Sequence, residues 1–130
     1  MSETMENHTF DELAVGQTGQ LQRTLTQDDI RAFAAVSGDN NPAHLDPAYA
    51  ADTMFHGVIA HGMWGASLIS ALLGTRFPGP GTIYLHQGLS FTRPVHIGDT
   101  LTVTATVLSK EAAHHAVVLD CQVVNQHGVA

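Results

Sequence analysis

The sequence predicts one α+β domain in which an antiparallel β-sheet wraps around a central apolar helix. Residues 62–73 are apolar on nearly every helical face, so this helix should be buried almost all round. Residues 100–109 alternate between apolar side chains and threonines, the pattern of a sheet with one covered face. At 130 residues, the chain can build one hydrophobic core but not two, so residues 1–130 form a single predicted domain.

The remaining elements follow from local patterns. Residues 17–25 alternate as a first strand, and Thr26 then caps a helix that Gly38 ends. Pro42 prevents this helix from continuing, and Pro47 opens a short helical piece. Strand-like stretches complete the sheet at residues 82–91, 100–109 and 116–125.

Composition excludes several classes of function. Only 13% of the residues are charged and 44% are hydrophobic, which indicates apolar surface buried against another subunit. The formal charge of -7 and the scattered cations argue against nucleic-acid binding. No apolar run approaches the roughly 18 residues that a membrane span needs, and no secretory signal is evident. A soluble cytoplasmic protein is therefore expected.

A carboxylate and an imidazole lie five residues apart across a turn that Pro42 stiffens. Asp39 and His44 can converge there on one water molecule, which one group deprotonates while the other shuttles the proton. The same spacing also fits a purely structural turn, in which Asp39 caps the loop and His44 packs.

A second motif, His61-Gly62, stands directly before the apolar helix. The N–H groups at a helix start are unpaired and lie at its positive dipole end, so they could stabilise an enolate oxygen developing on a thioester. An ordinary helix start explains the same residues equally simply.

Residues 33–50 resemble the signature of the R-specific enoyl-CoA hydratases of the MaoC-like group, which have the hotdog fold. The matching positions are Phe33, Ser37, Gly38, Asp39, Asn41, Pro42, His44 and Ala50. The likeness extends over roughly residues 11–128. It implies reversible addition of water to a trans-2-enoyl-CoA, which yields the (R)-3-hydroxyacyl-CoA.

The resemblance also implies roles for individual residues. Asp39 and His44 would activate the water, the Gly62 N–H would bind the thioester oxygen, and Ser70 would hold the catalytic carboxylate. The other polar members of the two motifs, Asn41 and His61, are expected to support the site. No cofactor is implied, since coenzyme A is part of the substrate, and the family's usual assembly predicts a homodimer or a higher homo-oligomer.

Three apolar or aromatic residues, Trp64, Leu73 and Tyr84, are weaker candidates for contacting the acyl chain, because such residues more often belong to the core. No metal site is expected, since His56 and His61 lack a carboxylate or cysteine at ligand spacing.

Two other functions fit the same fold: hydrolysis of an acyl-CoA thioester, and acyl-thioester binding without catalysis. Coenzyme A and acyl carrier protein both remain possible thiol carriers. Relatives generally have one more strand after a turn like residues 125–128, so the C-terminal strand is expected to be truncated.

Overall fold

A computed structural model describes residues 5–130 of the chain, and residues 1–4 of the predicted domain lie outside that range. A short 3-10 helix, Phe10–Glu12, precedes three strands and four helices. In chain order these are β1 (Thr18–Thr24), α1 (Gln27–Ser37), α2 (Pro42–Leu45), α3 (Pro47–Ala51), α4 (Gly62–Thr75), β2 (Thr100–Glu111) and β3 (Ala116–Val124).

The three strands form an antiparallel sheet in the order β1-β2-β3. The alternation predicted for β2 is confirmed, because its apolar face is fully buried: Leu101, Val103, Ala105 and Val107. The opposite face carries threonines that bond across to β1, as in the 3.2 Å bond from Gln20 Nε2 to Thr104 Oγ1. One face of the sheet therefore packs on the core while the other meets solvent.

Helix α4 crosses the buried face of this sheet and supplies much of the core. Its buried residues are Trp64, Leu68, Ile69, Leu72 and Leu73. The expectation that the helix is buried all round is wrong, since Met63, Ser67 and Ser70 are exposed. A sheet of three strands covers only part of the helix circumference. Among residues 5–130, no helix combines the length and hydropathy that crossing a membrane requires.

The strand predicted over residues 82–91 does not form. This segment has no regular secondary structure and pairs with no strand of the described chain, and Ile83 and Leu85 are about 80% exposed. This segment and β3 both line a cleft of about 1560 Å³ and do not pair with each other. A strand-like sequence is not sufficient by itself, because a strand also needs a partner at about 4.8 Å, and none lies there among residues 5–130.

Candidate active site

The loop that carries Asp39 begins where α1 ends. Gly38 adopts φ +80°, a left-handed conformation that glycine accepts without steric cost, and its N–H caps the helix through the Ala34 carbonyl. The Ser37 hydroxyl then accepts a 3.1 Å hydrogen bond from the Asp39 N–H. The Asp39 carboxylate accepts a bond from the Asn41 N–H at 3.4 Å, and this side chain is exposed. The sequence therefore fixes the backbone of Asp39 while leaving its carboxylate accessible.

Helix α2 positions His44 on the same loop. Asn41 caps this single turn by accepting the Ala43 N–H at 2.9 Å, and Pro42 occupies the first helical position. His44 Nδ1 lies 2.8 Å from the Ile59 carbonyl oxygen. Because a carbonyl can only accept, Nδ1 must carry the hydrogen, and in the neutral ring the lone pair is on Nε2. His44 is thus held in the tautomer that a general base at Nε2 requires.

His61 joins the start of α4 to the Asp39 loop. Its side chain is buried, with 3% exposed, and its Nε2–H donates to the Asp39 backbone carbonyl at 2.8 Å. The ring stacks on His44 with a centroid distance of 4.0 Å and lies 4.8 Å from Phe33. Its Nδ1 finds no hydrogen-bond partner within residues 5–130.

The three side chains meet at one point. One carboxylate oxygen of Asp39 and one ring nitrogen each of His44 and His61 lie within 4.8 Å of one another. Two hydrogen bonds of roughly 2.8 Å span up to about 5.6 Å, so one water molecule can bridge Asp39 and His44. Each of these three residues was a candidate from the sequence alone. The sequence pattern did not, however, predict that His61 lies beside Asp39 and His44.

Gly62 is the first residue of α4, a helix of 14 residues, and its N–H belongs to the group that helix geometry leaves unpaired. A Cβ at this position would lie 3.2 Å from the Phe91 ring, so glycine lets this ring pack closely against the start of α4. Gly62, His44 and His61 line the same cleft. The arrangement offers a positive dipole end and a free donor beside the water-binding pair.

The other predicted site residues do not all line the cleft that Gly62 and His44 share. Ser70 makes no hydrogen bond to Asp39 in the described chain, and it lines a separate cavity of about 310 Å³ together with Met63 and Tyr84. Trp64 is buried in the core and lines neither cavity, whereas Leu73 lines the large cleft. Burial raises the pKa of the Tyr84 phenol above its ordinary value, and charge at Cys121 adds to this effect.

Comparison with known families assigns the chain. The MaoC like domain family matches residues 12–126. This protein belongs to the MaoC-like family. The match spans nearly all of the described chain.

Individual relatives agree with this assignment. The chain is 52% identical over 100 residues to an (R)-specific enoyl-CoA hydratase of Rhodospirillum rubrum, covering 77% of this chain and 69% of the relative. It is 45% identical to the (R)-specific enoyl-CoA hydratase of Aeromonas caviae, covering 89% and 87%. The solved structure of R-hydratase PhaJ1 from Pseudomonas aeruginosa in the unliganded form superposes with a TM-score of 0.90 at 50% identity, over 95% of this chain and 79% of that one. The predicted hotdog fold is thereby confirmed.

Proposed function

We infer that this protein is an R-specific 2-enoyl-CoA hydratase, a hydro-lyase that adds water reversibly to trans-2-enoyl-CoA. The observation that carries this conclusion is the meeting of Asp39 with His44 within 4.8 Å, beside the N-terminus of α4. The sequence similarity to (R)-specific enoyl-CoA hydratases supports the same reaction. We propose Asp39 and His44 as the catalytic residues.

In the proposed mechanism, one water molecule binds between the Asp39 carboxylate and Nε2 of His44. Its oxygen attacks C3 of the enoyl group, which is electrophilic because the double bond is conjugated with the thioester. The proton that leaves the water passes to one member of the pair and is then delivered to C2. With Asp39 ionised and His44 neutral at the start, both groups return to their initial state.

The N–H of Gly62 has a separate role in this mechanism. Attack at C3 places negative charge on the thioester oxygen, and a donor that already points at this position lowers the energy of the transition state. The dipole of α4 adds to the same effect. Asn41 and His61 are proposed to position Asp39 and His44, and Leu73 and Tyr84, which line the same cleft as Gly62, to lie along the acyl chain.

Mixing the purified protein with crotonyl-CoA tests this function directly. We expect the absorbance of the conjugated enoyl-thioester to fall towards equilibrium, and chiral analysis to find (R)-3-hydroxybutyryl-CoA. Starting from the (R)-3-hydroxy product should restore the absorbance to the same endpoint, because a catalyst cannot move an equilibrium.

Other outcomes identify the alternatives. Release of free thiol with the double bond intact would indicate thioester hydrolysis. Thermal stabilisation by crotonyl-CoA without turnover would indicate a binding module. Either result would contradict the hydratase assignment, and a panel of enoyl-CoAs from four to about twelve carbons would ensure that an unsuitable chain length is not mistaken for inactivity.

We also propose that the protein forms a homodimer or a higher homo-oligomer. Residues 82–91 present exposed apolar side chains and a backbone without strand partners, and such an edge favours pairing with a second copy. Light scattering after size exclusion should give at least twice the monomer mass, and Leu85→Lys should reduce it. The control Val36→Lys changes a valine that is 89% exposed outside this segment, and should leave the mass unchanged. A monomeric wild type would contradict the proposal. A cytoplasmic location remains a prediction of the sequence.

A further inference from the structure

One arginine stands at the cleft that contains the proposed site. Among residues 5–130, Arg93 is the only lysine or arginine that lines this cleft, which Gly62 and His44 also line. Arg93 is exposed and makes no salt bridge within the described chain. Because a guanidinium keeps its charge at any ordinary pH, Arg93 supplies an unpaired positive charge at the solvent-facing side of the cleft.

The remaining cations of the chain are engaged elsewhere. The sequence contains five lysines and arginines in all. The other four lie outside the cleft, and each contacts a carboxylate or a backbone carbonyl: Arg23, Arg31, Arg76 and Lys110. The formal net charge of the chain is -7, so the protein as a whole repels an anionic ligand. An anion that enters the cleft therefore depends on Arg93 for attraction.

The loop that carries Arg93 is held close to the start of α4 on both sides. Two residues before Arg93, the Phe91 ring packs so closely on Gly62 that a Cβ there would lie 3.2 Å from it. Two residues after Arg93, the Val95 carbonyl accepts the Ala60 N–H at 2.8 Å. Since two residues span at most about 7 Å, the Arg93 backbone starts near the proposed thioester-binding N–H. Its long side chain can then extend towards solvent.

We propose that Arg93 binds a phosphate group of the coenzyme A portion of the substrate while the thioester lies at Gly62. Coenzyme A carries its phosphates at the far end of the pantetheine arm, and a guanidinium can bind a phosphate through two parallel hydrogen bonds. The phosphates take no part in the reaction, so this contact is equally strong in the ground state and the transition state. Arg93 therefore lowers KM and leaves kcat unchanged. The effect on KM rests on the proposed hydratase function, whereas binding of coenzyme A itself does not.

Kinetics with two thioesters test the role of Arg93. For Arg93→Gln we expect KM for crotonyl-CoA to rise about fivefold, the scale of one partly exposed ion pair, with kcat unchanged. KM for crotonyl-pantetheine, which has no phosphate, should equal that of the wild type. Arg93→Lys keeps the charge and should recover part of the loss. The difference between wild type and Arg93→Gln should shrink as salt is added, because salt screens an exposed charge.

The matched control is Arg31→Gln, which removes the same charge from α1, where Arg31 pairs with Asp28 at 3.6 Å outside the cleft. Its KM for crotonyl-CoA should equal that of the wild type, which separates a local contact from the net charge. An Arg93→Gln variant whose KM for crotonyl-CoA is unchanged, or whose KM rises equally for both thioesters, would overturn the proposal.

Calorimetric titration with free coenzyme A keeps this proposal separate from the hydratase function. Arg93→Gln should bind coenzyme A about fivefold more weakly than the wild type, and pantetheine with the same affinity. This result in a protein that hydrates no enoyl-CoA would contradict the hydratase function and support the phosphate contact. Normal hydration together with equal coenzyme A affinity in wild type and Arg93→Gln would contradict the phosphate contact alone.

Discussion

Replacing Asp39 by asparagine is expected to lower kcat for crotonyl-CoA hydration by about 10³-fold, within the range that a positioned acid or base contributes. Asparagine has nearly the same shape and can still accept the hydrogen bond from the Asn41 N–H, so the turn should survive. It cannot take a proton from water. KM should change little, because the thioester contact proposed above is the Gly62 N–H and not the Asp39 carboxylate. The initial loss of enoyl absorbance measures both constants.

The matched control for this variant is Asp28→Asn. The Asp28 side chain is 93% exposed and pairs only loosely with Arg31, at 3.6 Å. The Asp28→Asn variant removes the same charge from the chain without changing the site, so its kcat should equal that of the wild type. If Asp39→Asn retains more than about a tenth of the wild-type kcat, Asp39 is not the catalytic carboxylate.

Gly62→Pro is expected to lower kcat by about 10²–10³-fold relative to Gly62→Ala, because proline removes the backbone donor that we propose to stabilise the thioester oxygen. Gly62 is the first residue of α4, where proline is favoured and its missing N–H costs no helical bond. The preceding His61 has φ -61° and ψ 136°, the extended geometry that a residue before proline adopts. The helix should therefore form unchanged.

Gly62→Ala is the control because it adds the same Cβ while keeping the N–H. In both variants this Cβ lies 3.2 Å from the Phe91 ring, which is 60% exposed and can shift. Thermal unfolding should show that the two variants are equally stable. Equal kcat values in the proline and alanine variants would mean that the Gly62 donor does not act on the reacting thioester.

Much of the fold was predictable because its signals are local. Helix α1 begins after Thr26, whose side chain caps its N-terminus, and ends at Gly38, which adopts a left-handed conformation. Both effects depend only on neighbouring residues. The alternation in β2 likewise reports its buried face directly. The strand predicted for residues 82–91 does not form, because strand pairing depends on the position of a distant sheet edge, which a local sequence pattern does not report.

The candidate site was predictable as a set of residues but not as an arrangement. Asp39 and His44 share one loop, so their proximity follows from the turn. The tautomer of His44 is set by the Ile59 carbonyl. Such a contact could not be predicted, because every residue has a backbone oxygen and the sequence does not tell which one a side chain meets. The stacking of His61 on His44 depends on how α4 meets the loop, which only tertiary packing decides.

The hydrogen bond from His61 to the Asp39 carbonyl spans 22 positions of sequence and connects the two halves of the chemistry. Gly62 follows His61 directly, so His61 joins the proposed proton acceptor, Asp39, to the proposed hydrogen-bond donor for the thioester oxygen, the Gly62 N–H. When the domain fluctuates, the Asp39 carboxylate and the Gly62 N–H should move together. Their separation should therefore stay matched to the distance between C3 and the thioester oxygen of a bound substrate. Weakening the hydrogen bond from His61 to the Asp39 carbonyl should therefore impair both proton transfer and stabilisation of the thioester oxygen, although Asp39 and Gly62 both remain.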